Sequence, residues 1–270
     1  MIEGIKMRPS RVLGKLRSGG VVSCVKLNLS DSRAFEIAAM AGFDCLWTDM
    51  EHVGNDWSAI EKQVLAAKAY NTDIMVRISR GGYSDYIRPL ELDATGIMVP
   101  HIMSFEDAKK VVNITRFQPV GRRPIDGGNA DGAYCNINPL DYIKDANKER
   151  FVVVQIEDPE AVNDIERIAS LEGIDMLFFG PGDFSHAIGA LGQSGNSTIS
   201  EVRKRIAEAC RKSGKYAGTV GGLENLNELI RMGYRFISVG ADVICLSQYF
   251  ANMAKSFNDI VDNTVNNNIP

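Results

Sequence analysis

The chain has 270 residues, of which 45% are hydrophobic, and its formal net charge is −4 at pH 7. This length fits one large α/β domain, and the hydrophobic content is sufficient for a substantial core. The lack of a basic excess argues against general affinity for nucleic acids, because no surplus of positive charge is available to neutralise phosphates.

Cysteine usage and hydropathy predict a cytoplasmic protein that does not enter membranes. The five cysteines are scattered, and none forms a Cys-x-x-Cys pair. We therefore expect free thiols in a reducing compartment. Residues 1–6 contain no apolar run typical of a secretory signal, and no apolar stretch of the sequence approaches the length that crosses a bilayer.

Eight strand-like segments alternate with helical patterns along the chain. Apolar runs predict strands at residues 21–27, 44–48, 73–78, 96–100, 151–157, 174–180, 216–220 and 235–240. Helical periodicity lies between them, near residues 31–41, 57–70, 83–93, 104–115, 160–171, 198–213 and 223–232. The expected N-caps are Ser30 or Asp31, Ser104, and Ser197 or Thr198. This alternation indicates a parallel sheet, and eight units in this length favour a closed (β/α)₈ TIM barrel over an open doubly wound sheet.

Two segments depart from this rhythm within the single domain that we expect over residues 1–270. Residues 117–138 are rich in Gly, Pro, Asn and Arg, and a loop of this length is usually functional or disordered. A helical stretch follows at 139–149. Residues 244–262 repeat apolar side chains at helical spacing, which predicts an extra C-terminal helix after the eighth strand. Its apolar stripe must pack either on the barrel or on a neighbouring subunit.

Acidic residues follow the fifth and sixth predicted strands. Glu157 ends one apolar run, and the turn Gly180-Pro181-Gly182-Asp183 ends the next. Acids at the same ends of neighbouring parallel strands converge, and such a pair suits a hard divalent cation that keeps several waters. The alternative reading of Glu157 as a helix cap is weaker, because Asp158-Pro159 offers a better N-cap and first-turn pair.

Histidine and arginine residues add candidate catalytic groups at other strand ends. A loop histidine is more often structural, but His52 follows two acids at the end of the second strand, where imidazole can transfer protons near neutral pH. Arg77 ends the third strand, either as a surface arginine or as a cation that stabilises charge developing on an oxygen. His101 ends the fourth strand. Two roles for it stay open: a structural position on the rim of the barrel, or a contact with the substrate.

The sequence lacks the residues that several other reaction mechanisms would require. The glycine-rich turn has no following Lys-Ser/Thr, so a nucleotide-binding loop is excluded, whereas Gly182 would let backbone N–H groups approach a small anion. No Gly-x-Ser-x-Gly or His-Glu-x-x-His motif occurs. A Schiff-base mechanism on Lys26 stays possible but would leave Glu157 and Asp183 without a task.

The ordered motifs of the chain resemble the HpcH/HpaI aldolase family, the metal-dependent class II pyruvate aldolases related to citrate lyase β-subunits. The resemblance extends from Ser23 to Phe257. It rests on these motifs: Asp49-x-Glu51-His52, Val76-Arg77, Leu92-Asp93-x-x-Gly96-Ile97-x-Val99-Pro100, Gly121-Arg122-Arg123, Gln155-Ile156-Glu157 and Gly180-Pro181-x-Asp183-x-Ser185.

The resemblance implies specific roles for the site residues. Glu157 and Asp183 hold Mg²⁺ or Mn²⁺, with Co²⁺ or Zn²⁺ as alternatives, and pyruvate binds that ion. Gln155 and the backbone at Gly182 and Asp183 contact the pyruvate unit. The proton-transfer group is His52, for which Asp93 is the implied partner, Asp49 the alternative partner and Glu51 a more remote group. Arg77 stabilises the enolate and the carbonyl of the acceptor.

The reaction implied by the resemblance is reversible cleavage of a 4-hydroxy-2-oxo acid to pyruvate and an aldehyde. Three alternatives stay open: oxaloacetate decarboxylation, cleavage of malyl-CoA or citramalyl-CoA, and a non-catalytic binding module. The resemblance also implies a homo-oligomer, either a hexamer built as a trimer of dimers or a dimer or trimer, in which subunits exchange the last helix.

The sequence departs from the family pattern at residues 124–132. Pro124 stands where the family commonly has glycine, and residues 125–132 differ from the common versions of this loop. We expect this loop to shape the acceptor pocket, with Arg122 or Arg123 as a candidate partner for a distal carboxylate of the substrate.

Overall fold

Eight parallel strands form a closed barrel in the computed structural model, which describes residues 2, 4–193 and 195–266. The strands are β1 Val22–Lys26, β2 Cys45–Asp49, β3 Asp73–Arg77, β4 Gly96–Val99, β5 Phe151–Ile156, β6 Met176–Phe179, β7 Tyr216–Gly221 and β8 Tyr234–Ala241. They pair in chain order, and β8 pairs with β1 to close the barrel. The predicted (β/α)₈ fold is therefore confirmed.

Eleven α-helices surround or flank this barrel in the described part of the chain. They are α1 Arg11–Arg17, α2 Ser32–Met40, α3 Trp57–Ala69, α4 Tyr83–Glu91, α5 Phe105–Thr115, α6 Pro139–Glu149, α7 Ile165–Ser170, α8 Pro181–Ala187, α9 Ser197–Lys212, α10 Leu226–Met232 and α11 Asp242–Asn266. Two 3₁₀ turns cover Ala130–Gly132 and Pro159–Asp164. The sequence did not predict α1 and α8, because seven residues are too few to display a helical period.

Polar side chains begin many of the helices. Asp31 accepts a hydrogen bond from the backbone N–H of Arg33, and Ser104 accepts one from Asp107. These two agree with the predicted N-caps. The N-cap of α9 is Asn196, which accepts a hydrogen bond from the backbone N–H of Thr198. The prediction of Ser197 or Thr198 as this cap was therefore wrong by one or two residues.

Successive side chains of each strand point alternately into the barrel and out of it, so the protein has two hydrophobic cores. One fills the barrel interior and includes Cys24, Trp47, Met75, Val153 and Phe178. The other lies between the strands and the outer helices, and α1 closes the amino end of the interior core. Because side chains two residues apart point to the same side of a strand, the inward positions that follow this core carry polar groups at the barrel mouth. These groups are Lys26, Asp49, Arg77 and Gln155.

The segment 117–138 packs around a buried polar group. The Arg123 guanidinium donates to Asp131 Oδ2 at 2.8 Å, and the Tyr142 hydroxyl donates to the same oxygen at 2.8 Å. Burial raises the pKa of Asp131, and the positive charge of Arg123 opposes this effect. The expectation that Arg123 binds a substrate carboxylate is wrong for this structure, because its guanidinium is buried against Asp131. Arg122 is exposed.

The C-terminal helix α11 extends further than the predicted 244–262, from Asp242 to Asn266. Its apolar side chains are exposed, and Phe257 is 68% accessible to solvent. The exposed set comprises Val243, Ile244, Leu246, Tyr249, Phe250, Met253, Phe257, Ile260, Val261 and Val265. Across the described ranges, no helix combines the length and hydrophobicity that a membrane span requires.

Candidate active site

A buried ion pair between Arg77 and Asp49 lies at the carboxyl end of the barrel. Arg77 Nε donates to Asp49 Oδ1 at 3.0 Å, and a terminal nitrogen of Arg77 donates to Oδ2. The other terminal nitrogen is 3.0 Å from Glu51 Oε2. Burial tends to raise the pKa of Asp49, but hydrogen bonds and charge from Arg77 and Lys26 outweigh it and lower the pKa to about 2. The guanidinium is thus fixed in direction by two carboxylates.

Lys26 completes this charged layer from β1. Its Nζ is 3.0 Å from Asp49 Oδ2. Nζ of Lys26 and Cζ of Arg77 lie 5.1 Å and 5.0 Å from the centroid of the Trp47 ring, within cation–π range. The indole therefore separates the apolar interior from the polar mouth.

Glu157 presents a buried carboxylate directly beyond β5. Its Oε1 accepts the backbone N–H of His101 at 3.0 Å, and its Oε2 accepts the side-chain amide of Gln155. Gly180 is required beside it, because a Cβ at that position would come 2.7 Å from Glu157 Oε2. Gln155 Oε1 is buried and has no hydrogen-bond partner among the described residues. A buried acceptor of this kind is costly unless a ligand satisfies it.

His101 connects Glu157 to the other acids of the mouth. Its φ of 52° lies in the left-handed region, which is uncommon for a residue with a side chain. Nδ1 is 3.0 Å from Asp158 Oδ2, and Nε2 is 3.3 Å from Glu51 Oε1. Burial lowers the pKa of His101, but the hydrogen bond to Asp158 and the surrounding carboxylates outweigh burial, so the net shift is upward.

The carboxylate of Glu157 is electrostatically unfavourable in this environment. Burial is the largest cause, and it raises the pKa of Glu157 to about 7. The hydrogen bond and charge of His101 oppose the shift, whereas the charges of Asp183 and Glu51 add to it. A bound cation would relieve both the burial and the repulsion.

Three donor groups at the mouth fit a divalent metal ion. Ligand atoms of Glu51, His101 and Glu157 all lie within 4.8 Å of one another. Two carboxylates and an imidazole are common ligands for divalent ions, and the unpartnered oxygen of Gln155 lies next to Glu157. The described residues therefore form a possible acidic and histidine metal site, as the predicted metal dependence requires.

This donor group differs in composition from the predicted pair of Glu157 and Asp183. Asp183 is exposed in the first turn of α8, outside the group of three, although its charge acts on Glu157. Glu51 and His101 were not predicted as ligands. Their signal is positional, because each lies two residues beyond the last residue of its strand, β2 or β4. Gly182 is exposed on the same turn of α8, with open space around its Cα.

The two remaining predicted residues lie at opposite ends of the barrel. The His52 side chain is 56% exposed at the mouth, and its Nε2 is 3.5 Å from Glu51 Oε2. Asp93 precedes β4 at the amino end, where it is buried and pairs with Lys68 and, at 2.5 Å, with Arg150. The expectation that Asp93 assists His52 is therefore wrong for this structure, and Glu51 is the carboxylate beside His52.

The protein has the features of a (β/α)₈-barrel enzyme. It is a closed parallel barrel with carboxylates, an imidazole and a buried guanidinium at its mouth. Residues 24–248 match the family model described as HpcH/HpaI aldolase/citrate lyase, so the chain belongs to that family. The resemblance identified from the motifs is confirmed.

Relatives and solved structures agree with this assignment. The hydroxypyruvate/pyruvate aldolase of Pseudomonas aeruginosa is 30% identical over 249 residues, which cover 92% of each chain. The 4-hydroxy-2-oxo-heptane-1,7-dioate aldolase of Shigella boydii is 32% identical over 86% of this chain and 88% of that protein. An HpcH/HpaI aldolase structure from Desulfitobacterium hafniense matches with a TM-score of 0.85 at 27% identity, over 91% of this chain and 95% of that one. The chain is therefore a class II aldolase, a carbon–carbon lyase.

Proposed function

We propose that this aldolase reversibly cleaves a 4-hydroxy-2-oxo acid into pyruvate and an aldehyde, with the help of a divalent metal ion. The observation that carries the proposal is the convergence of a fixed guanidinium, Arg77, with the buried carboxylate of Glu157 at one barrel mouth. The names of the relatives from Pseudomonas aeruginosa and Shigella boydii both describe aldol chemistry of 2-oxo acids, which supports this substrate class.

Glu157 and Asp183 hold the metal ion in this proposal, and Glu51 and His101 are additional candidate ligands. Mg²⁺ or Mn²⁺ suits the carboxylate oxygens, and Co²⁺ or Zn²⁺ is compatible with the imidazole. When bound, such an ion supplies positive charge that lowers the energy of an enolate oxygen. Gln155 and the backbone at Gly182 orient the pyruvate unit.

Arg77 stabilises negative charge that develops on the substrate oxygens. Its direction is set before substrate arrives, because Asp49 accepts from two of its nitrogens. A preorganised cation of this kind needs no reorganisation during the reaction. Trp47 beneath it excludes water from the lower side of the guanidinium.

His52 moves the proton of the substrate 4-hydroxyl group. Its exposed imidazole can reach a substrate that enters the mouth, and Glu51 is the carboxylate that orients it. The group removes the hydroxyl proton in the cleavage direction and returns it in the condensation direction. This assignment replaces Asp93 by Glu51 as the acidic partner.

The exposed apolar face of α11 supports a homo-oligomer, and the five free cysteines support a reducing compartment such as the cytoplasm. A helix of 25 residues with ten exposed large hydrophobic side chains needs a cover in water. We assign that cover to a second copy of the chain, within a dimer, a trimer or a hexamer built as a trimer of dimers. Sedimentation of the protein and of a chain truncated before Asp242 tests this assembly.

Proton exchange at C3 of pyruvate in D₂O tests the proposed function without any aldehyde. In the presence of Mn²⁺, the wild-type protein should catalyse proton exchange, and this exchange should stop when a chelator removes the ion. Glu157→Gln should abolish exchange, whereas Glu160→Gln, an exposed neighbour, should retain it. A folded wild-type protein without metal-dependent exchange contradicts the proposal and favours a binding module.

A further inference from the structure

The backbone conformation of His101 determines which groups this residue reaches. Its φ of 52° is left-handed, and a residue with a side chain seldom adopts such a φ without support from its surroundings. In this conformation the His101 N–H donates to Glu157 Oε1 at 3.0 Å. The imidazole lies between Asp158 and Glu51. The conformation of this one residue therefore affects the proposed metal site.

The carbonyl group of His101 is held by Arg80, which lies in the loop between β3 and α4. Nη1 of Arg80 donates to His101 O, and Nη2 is 3.0 Å from Asp107 Oδ1. Asp107 lies in the first turn of α5, and its Oδ2 accepts the backbone N–H of Met103 at 3.1 Å. The peptide groups on both sides of the His101 Cα are therefore fixed, one by Glu157 and the other by Arg80.

The bond to His101 distinguishes Arg80 from an ordinary surface ion pair. The Arg80 side chain is 34% exposed, and exposed pairs of arginine and aspartate usually contribute little to stability. Arg167 and Asp164 form such a pair at 2.7 Å, and the second oxygen of Asp164 also accepts a backbone N–H at the start of α5. Within the described ranges, Arg167 makes no hydrogen bond to His101.

We infer that Arg80 is a positioning residue of this aldolase, which acts on the metal site through His101. By binding the His101 carbonyl, it holds the left-handed backbone that keeps the N–H on Glu157. The inference rests on the proposed function and adds to it a residue that acts only through another residue. Without Arg80, the backbone at position 101 can relax to a right-handed or extended conformation, and Glu157 then loses the N–H that orients its carboxylate.

The affinity for Mn²⁺, measured by calorimetric titration without substrate, tests this role. Arg80→Met should raise the Kd for Mn²⁺ about tenfold or more, the usual effect of losing a group that orients a metal ligand. At saturating Mn²⁺, kcat for pyruvate proton exchange should stay near that of the wild type. Arg80→Lys should retain most of the affinity, because an ammonium can still donate to the carbonyl. Arg167→Met, the matched control, should bind Mn²⁺ as the wild type does.

A double variant separates positioning from folding. His101→Gly removes the imidazole but keeps the N–H, and glycine adopts the left-handed backbone without support. In that background, Arg80→Met should change the Kd for Mn²⁺ by less than about twofold, because the two substitutions act on the same feature and are not additive. The double variant should also fold, even if Arg80→Met alone does not. A double variant that fails to fold, whereas His101→Gly folds, would assign Arg80 a structural role and overturn the inference.

The remaining outcomes separate this inference from the proposed function. An equal loss of Mn²⁺ affinity on Arg80→Met in both backgrounds overturns the inference. A wild-type protein that catalyses metal-dependent pyruvate exchange, while Arg80→Met binds Mn²⁺ equally well, overturns the inference alone. The absence of metal-dependent exchange in the wild-type protein contradicts the proposed function instead.

Discussion

The guanidinium of Arg77 and the carboxylate of Asp49 form a buried two-point ion pair at the mouth of the barrel, with Nε 3.0 Å from Oδ1. Asp49 is fully buried, and Arg77 is 3% exposed. The pair joins the ends of β2 and β3, and it connects the stability of the barrel rim to the electrostatics of the candidate site.

Replacement of Asp49 by asparagine should destabilise the protein at neutral pH. Asp49→Asn leaves the buried guanidinium without its main partner, and the free energy of unfolding should fall by about 3 kcal/mol. The pKa of Asp49 is about 2 in the folded protein, below the ordinary value of 3.8 expected in the unfolded chain. The ion pair therefore stabilises the protein fully above pH 3.8, and this stabilisation is lost as the pH falls towards 2. Urea unfolding of both proteins at several pH values measures the difference.

The two proteins should therefore converge in stability as the pH approaches 2. Asp31 is a matched control, because its pKa is also lowered to about 2, yet its side chain is exposed at the surface beside Arg33. We expect Asp31→Asn to have a smaller effect than Asp49→Asn. Equal stability of Asp49→Asn and the wild type at neutral pH would contradict the buried-pair argument.

Metal binding should weaken in mildly acidic solution. The pKa of Glu157 in the metal-free site is about 7, so below that pH a metal ion must displace a proton from this carboxyl group. Saturating Mn²⁺ should therefore raise Tm more at pH 8 than at pH 6. Glu157→Gln should remove the metal-dependent rise at both values, and an equal rise at pH 6 and pH 8 in the wild type would refute the raised pKa.

Replacement of His52 should separate proton transfer from metal binding. His52→Ala is expected to lower the rate of aldol cleavage by about 100-fold or more, within the usual range of a general acid–base contribution, while Mn²⁺ affinity stays near that of the wild type. Steady-state kinetics and calorimetric titration measure the two effects. His186→Ala, an exposed histidine on α8, serves as the control. Full cleavage activity in His52→Ala would remove this residue from the mechanism.

Lys26 should not form a Schiff base with pyruvate. Its ammonium is paired with Asp49, and a protonated amine lacks the lone pair that attacks a carbonyl. Incubation with pyruvate and borohydride should therefore leave the mass of the peptide that contains Lys26 unchanged. A reduced pyruvate adduct on Lys26 would instead indicate a class I mechanism and make Glu157 dispensable.

The barrel itself was predictable from local patterns, because eight strand patterns alternate with helical patterns along the chain. Asp31 and Ser104 were likewise predictable as caps, since short polar side chains before a helical period satisfy its first N–H groups. The steric role of Gly180 was not predicted, because only the structure shows that a Cβ at this position would come 2.7 Å from Glu157 Oε2.

The arrangement of the site was less predictable than the fold. Asp93 carries a family-like motif, but a motif does not reveal whether its acid faces the mouth or the amino end, where Arg150 and Lys68 neutralise Asp93. Glu51 and His101 lie in loops beyond strand ends, so strand alternation does not predict their directions. The left-handed backbone of His101, which turns its N–H towards Glu157, leaves no signal in the sequence.

Anomalous diffraction from crystals soaked in Mn²⁺ and pyruvate would reveal the proposed metal site itself. We expect an anomalous peak at the barrel mouth with a carboxylate oxygen of Glu157 among the manganese ligands, and pyruvate bound between that ion and Arg77. A mouth without such a peak, in crystals of folded protein with Glu157 directed elsewhere, would contradict this expectation.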